Sequence, residues 1–186
     1  MKRFSIFLMS VLLSLTSFAQ ETGCHLDFEG IPVTGTLNEF LTISESKGYK
    51  LLERNEQSML LSGLYRGKLC RVLVERLPDQ DKVWGLTVLL PSRDDWQGLV
   101  FDYEERRCEM HETFGEPVHV TEWFNVMNPP TTDRQKYLAV EKGMCPYKSV
   151  YENALGQVDV VIWSDEVNGC YVLVSYIDNF NSHLQE

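Results

Sequence analysis

The chain has 186 residues, 44% of them hydrophobic, with 17 Lys and Arg against 27 Asp and Glu, a formal net charge of −10. That length carries one domain with a good core or two small half-domains. The acidity argues against a phosphate backbone or an anionic lipid surface as partner.

Met1-Lys2-Arg3, the apolar run Phe4 to Phe18 and the small residue Ala19 read as an export signal over residues 1–19. Cleavage after Ala19 leaves a chain of residues 20–186, with 15 basic against 27 acidic residues. No later segment approaches the ~18 apolar residues of a membrane span. Cys24 follows Gly23, but Glu21 stands where a lipobox needs an apolar residue, so the expected product is soluble and periplasmic or extracellular. In that setting the acidity reads first as solubility.

An irregular arm, Gly23 to Thr34, comes next, with Leu26, Phe28 and Ile31 expected to tuck into the core. Thr36-Leu37-Asn38-Glu39 is a capping box that opens a helix from Leu37 to about Lys47, stopped by Gly48. Four strands are expected at Tyr49–Leu52, Met59–Tyr65, Lys68–Leu77 and Val83–Leu90, with Arg66-Gly67 as a hairpin turn. The stretch Ser92 to Phe114 predicts a long helix. Trp96, Leu99, Val100, Tyr103, Met110 and Phe114 share one face, Ser92 caps the start, and Gly115 and Pro117 end it. A strand over Pro117–Phe124 should bury Val118, Val120 and Phe124 and turn Trp123 the other way. A short helix, Asp133 to Lys142, is capped by Thr132 and stopped by Gly143. Three strands, Tyr147–Asn153, Gly156–Trp163 and Cys170–Ile177, precede a polar tail expected to fray from Asp178.

Laid side by side, Ser62–Leu90 and Ser149–Ile177 both read strand, glycine turn, strand, acidic loop, strand. With the helices before them they suggest a pseudo-repeat over about 36–90 and 92–177. The fold class expected is therefore α+β, a single domain with an antiparallel sheet from two helix-plus-four-strand halves and helices packed on one face. The Leu26-Asp27-Phe28-Glu29-Gly30-Ile31-Pro32 arm, the Trp96/Leu99/Tyr103 helix, the Phe114-Gly115-Glu116-Pro117 stop and the closing Tyr176-Ile177-Asp178 resemble a group of uncharacterised exported bacterial proteins. The tandem order is also similar to the β-lactamase-inhibitor-protein-like fold, in which one face of an antiparallel sheet meets a partner protein. These likenesses imply architecture and bring no catalytic residues.

No Gly-x-Ser-x-Gly elbow, Walker loop or dinucleotide fingerprint occurs in the chain. His25, His111, His119 and His183 lack metal-ligand spacing, and His111 suits a helix C-terminus. Asp79-Gln80-Asp81 and Asp178-Asn179 lack the ligand ladder of a calcium loop, so neither a metal nor a cofactor is expected. Five cysteines leave at least one thiol unpaired. Cys145 and Cys170 are the first choice for a disulfide, with small buried hydrophobes as the plain alternative.

The aromatic pattern is more informative. Strands Gly156–Trp163 and Cys170–Ile177 are apolar on both faces. Either the arm and the Asp133–Lys142 helix cover the second face, or it stays open as a binding face carrying Trp123, Trp163 and Tyr171. The function expected is a non-enzymatic binding protein whose partner is a protein or a glycan. A secreted hydrolase with a hidden carboxylate pair is the alternative.

Overall fold

A computed structural model describes residues 25–125 and 127–182. The export signal, Cys24 and His183 lie outside them. The arm forms a small two-stranded ribbon, β1 (Asp27–Phe28) and β2 (Ile31–Pro32). Helix α1 (Leu37–Ser46) follows, then β3 (Lys50–Arg54), β4 (Ser58–Tyr65), β5 (Lys68–Arg76) and β6 (Val83–Leu89). Helix α2 spans Trp96–Phe114, and β7 (His119–Thr121) and α3 (Asp133–Glu141) come after it. β8 (Lys148–Asn153), β9 (Gly156–Asp165), β10 (Gly169–Asp178) and the single turn α4 (Asn179–Ser182) close the chain. The fold is α+β. Its main sheet has eight strands in the order β3-β4-β5-β6-β10-β9-β8-β7, every pairing antiparallel.

Side chains set the helix starts. Thr36 accepts from the Glu39 amide at 3.2 Å, and Glu39 returns its carboxylate to the Thr36 amide at 2.8 Å. Thr132 and Gln135 build a second capping box for α3. α2 starts later than its pattern suggested. The cap is Asp95, accepting from the Gly98 amide at 2.7 Å, because Ser92 and Arg93 are still extended and the Arg93 amide bonds the Cys170 carbonyl at 2.8 Å. Gly115 ends α2 at φ 82°, a backbone region that favours glycine.

One face of the main sheet holds the core. Leu61, Val72, Val88, Val174, Val160 and Ser149 form one row across six strands, each opposite the next in register. Leu37 and Phe40 from α1, Trp96, Leu99, Tyr103 and Met110 from α2 and Val140 from α3 join that core. The arm packs there too, through Leu26, Phe28, Ile31 and Val33. Phe28 sits among the rings of Tyr49, Tyr65 and Tyr176 at 5.8, 5.7 and 5.5 Å, and the Tyr65 and Tyr176 hydroxyls bond each other at 2.9 Å. Where the arm crosses β9, Gly156 leaves no room for a side chain. A Cβ there would collide with the Ile177 carbonyl and the Leu26 side chain. Gly156→Ala is expected to lower stability by about 1–3 kcal/mol, read as a drop in urea midpoint.

Two further expectations need correcting. The strand after α2 is only three residues long. It lies at the sheet edge beside β8 alone, so Val118 and Val120 are exposed, and only Phe124 packs inward, against Trp96 and Tyr147 at 5.3 and 5.6 Å. The tail does not fray at Asp178, because the arm's free amides need acceptors. Asp178 is fully buried and accepts from the Leu26 amide at 2.8 Å and the Asn181 amide at 2.9 Å, with His25 Nδ1 at 3.1 Å. Asn181 donates in turn to the Val33 and Val83 carbonyls at 3.2 and 2.8 Å. The polar residues tie the two ends of the domain together.

Candidate functional site

With the helices and the arm gathered on one face, the alternate residues of the sheet face the other way. The register sorts them into rows that run across the strands. One row pairs Leu64 with Leu69 on β4 and β5, and Tyr171 with Trp163 on β10 and β9. Two residues along the strands, a second row reads Lys50, Ser62, Arg71, Leu89, Leu173, Val161, Lys148, Thr121. The third reads Glu53, Leu60, Leu73, Thr87, Ser175, Asp159, Val150, His119. A fourth carries Glu75, Ile177, Gln157 and Glu152. The face therefore grades from apolar, through a row whose charges are all basic, to rows whose charges are acidic.

Neighbouring polar groups on this face satisfy one another. Thr87 and Ser175 hydroxyls meet at 2.9 Å, Lys148 Nζ reaches Asp159 at 2.6 Å, and Gln157 donates to Asp159 at 2.8 Å. Such short links hold the rotamers of these side chains.

Trp163 is 53% exposed and Trp123 51% exposed. Trp163 stands on β9 directly opposite Tyr171 of β10, whereas Trp123 lies two residues beyond β7, outside any strand. Tyr171 is only 4% exposed. Its hydroxyl donates to Asp165 Oδ2 at 2.7 Å, and Asp165 also accepts from the Val167 and Asn168 amides and the Asn168 side chain. The Tyr171 and Asn168 hydrogen bonds hold the Asp165 carboxyl down to about 2. Tyr171 thus braces the β9–β10 turn while Trp163 offers its ring to solvent. Beside that turn runs a groove of about 420 Å³, lined chiefly by Leu52, Leu69, Arg71, Leu89, Val167 and Asn168. Arg71, absent from the sequence-based candidates, could be found only from the register that brings it beside the hairpin.

Cys145 and Cys170 are both buried free thiols in this structure, not a disulfide. Cys170 pairs with Ser164 across β9. Burial pushes the Cys145 thiol up to about 12 and raises that of Cys170, which leaves both poor nucleophiles.

A network of buried and half-buried charges lies between α2 and β5, on the core face. Asp102 is fully buried; it accepts from Lys68 at 2.7 Å and from Arg93 at 2.7 and 3.0 Å. Burial pushes its carboxyl up, but the bonds from Arg93 and Lys68 outweigh this and hold it below the usual carboxylate range. Arg106, also buried, pairs with Glu105 at 2.9 Å and Glu109 at 3.0 Å and lies over the Tyr65 ring. The acids of this set come from successive turns of one helix and are bridged by cations, so they do not face each other across a cleft. A second groove, beside α3, is lined by Pro129, Pro130, Leu138 and Met144, and neither groove is lined by a carboxylate. Among the described residues no three His, Cys, Asp or Glu side chains come together as a metal site, and no helix is long and apolar enough to cross a membrane.

No family model, curated protein or solved structure matches the chain.

Proposed function

We propose that this chain is an exported, non-enzymatic binding protein that docks a partner protein on its uncovered sheet face. The observation that carries the reading is Trp163, half exposed at the apolar end of a graded, pre-ordered face on which, among the described residues, neither helix nor arm packs. Trp and Arg are the residues most enriched where binding energy concentrates. Seven strand spacings of ~4.8 Å give a face on the order of 34 Å wide, and four rows give it about 20 Å of height. That area is close to the ~800 Å² one side of a standard interface buries. Leu60, Leu73, Leu89 and Leu173 favour a protein over a glycan, since sugars stack on rings and not on aliphatic rows. The exported chain's 15 basic against 27 acidic residues oppose pairing with a second copy, so the partner is a different molecule.

The same reading takes the chain as two copies of a helix followed by four strands, α1 with β3–β6 and α2 with β7–β10, joined through β6 and β10. It also places the protein outside the cytoplasm, in the periplasm or beyond.

Trp163→Ala tests the proposal. With half of the indole already in water, the substitution is expected to cost no more than about 1 kcal/mol of stability in urea melts. It should weaken partner binding by roughly 2 kcal/mol or more. A photo-crosslinking residue placed at Trp163 should give a discrete adduct in the native envelope, while one at Glu45 on α1 should not. A stability loss of 3 kcal/mol, or no adduct at position 163, overturns the assignment.

A further inference from the structure

The groove beside the β9–β10 turn has a chemical character of its own. Its rim carries three apolar side chains beside the polar Ser62, Ser92 and Asn168: Leu52 and Leu69 are exposed on β3 and β5, and Val167 is 89% exposed on the turn. Its floor is Arg71. The guanidinium donates through Nη2 to Asn168 Oδ1 and, among the described residues, meets no carboxylate. Asn168 is itself held by Asp165 at 2.8 Å, and that acid is already engaged by four donors, Tyr171 included. A half-buried guanidinium is thus fixed in place with the rest of its fork unspent. Lys50 stands in the same row two strands away, and no carboxylate lines the groove itself. Charge and shape together ask for an anion joined to an apolar group.

The row spacing narrows this further. Leu69 and Arg71 are two residues apart on β5, in adjacent rows of the face. That separation, about 6.6 Å, is also the distance between residues i and i+2 of any extended segment. We propose that the groove takes an extended segment of the partner protein carrying an acid-x-apolar motif. The carboxylate lies on the Arg71 fork, and the apolar side chain enters between Leu69 and Val167. A planar fork pairs a carboxylate in bidentate fashion, which fixes register as well as adding affinity. The inference rests on the docking reading given above and names the part of the partner that reaches this corner of the face.

The probe is the capped tripeptide acetyl-Asp-Ser-Leu-amide, titrated into the full chain and followed by amide chemical shifts. Saturable shifts are expected at Leu69, Arg71, Val167 and Asn168. Acetyl-Asn-Ser-Leu-amide and acetyl-Asp-Ser-Ser-amide should each bind at least fivefold more weakly. Arg71→Gln keeps a donor for Asn168 but loses the charge, and should weaken the first peptide about tenfold. Val167→Asp sets an anion at the rim of an exposed turn, where the fold is not at stake, and should abolish binding. Binding indifferent to both substitutions, or no saturable shift below about 20 mM peptide, overturns the inference. Failure here and failure of the docking reading are separable. A partner whose adduct forms at Trp163 but is unaffected by Arg71→Gln leaves docking intact and removes only the acid-x-apolar motif.

Discussion

Replacing Lys68 and Arg93 together by methionine is expected to destabilise the protein by about 3–5 kcal/mol, more than Asp102→Asn does. The asymmetry comes from where the charges sit. Asp102 is fully buried, while the Lys68 and Arg93 side chains retain 23% and 38% of their exposure. Removing both cations strands a carboxylate that cannot reach water, the costly case. Removing the anion leaves two cations that can, and Lys68 also keeps Glu105. Adding Asp102→Leu to the double variant should therefore recover most of the loss, since an apolar replacement of a whole buried ion set is often neutral. Urea midpoints at constant slope measure all three variants. A triple variant no more stable than the double would show that the network holds α2 to β5 by geometry and not by charge balance.

The same groups set the acid limit of the fold. The carboxyls of Asp102, Glu105 and Asp165 are held below their ordinary values, by bonds from Arg93 and Lys68, from Lys68, and from Tyr171 and Asn168 respectively. A carboxyl with a lower pKa folded than unfolded contributes stability above about pH 4, and that contribution is lost as pH falls through the folded value. Burial raises Glu109 instead, so its contribution falls as pH rises through its range. The depressed groups outnumber the raised one. Urea midpoints should thus drop between pH 4 and about pH 2, and by less in Asp102→Asn, which has one of these groups missing.

Much of this was legible in the residues, and what was not has identifiable causes. The Thr36/Glu39 box, the inward face of α2 and its glycine stop follow from local chemistry, and local chemistry decided them. Asp102 and Arg106 fall on the same inward stripe, three residues after Leu99 and Tyr103. Charged residues are rarely fully buried unless paired, and here Lys68, Arg93 and Glu109 supply the opposite charges. Asp178 and Asn181 looked like a fraying tail because their partners, the amides and carbonyls of the arm, lie some 150 residues away in sequence. Whether the second sheet face was covered could not be read from β9 and β10 at all, since both are apolar on either side. The answer depended on which way the arm and α3 packed, and both chose the face already occupied by α1 and α2. Trp163 was visible as a strand aromatic; Arg71 became a candidate only once β3–β6 and the β9–β10 turn met.

Phe28→Ala is expected to cost about 3–5 kcal/mol, the range for deleting a buried phenylalanine ring. Its ring is enclosed by Tyr49, Tyr65 and Tyr176, from the residue ahead of β3 and from strands on either side of the sheet centre. Those three are pinned from behind: the Tyr49 hydroxyl donates to the Leu64 carbonyl at 3.1 Å, and Tyr65 and Tyr176 share a hydrogen bond. With such neighbours the site cannot collapse around the missing ring, which puts the loss toward the upper part of that range. The contrast with Trp163→Ala is the useful result. Both substitutions remove a large aromatic from the same sheet system, one from the face that the arm closes and one from the face left open. A loss above 3 kcal/mol at Phe28 beside less than about 1 kcal/mol at Trp163 is what a one-sided core requires. A loss below about 1 kcal/mol at Phe28 would mean that the arm rests on the core without sealing it. The Tyr65–Tyr176 pair would then be the true boundary of the folded unit, and the Asp178 and Asn181 contacts to the arm would have to be worth correspondingly little.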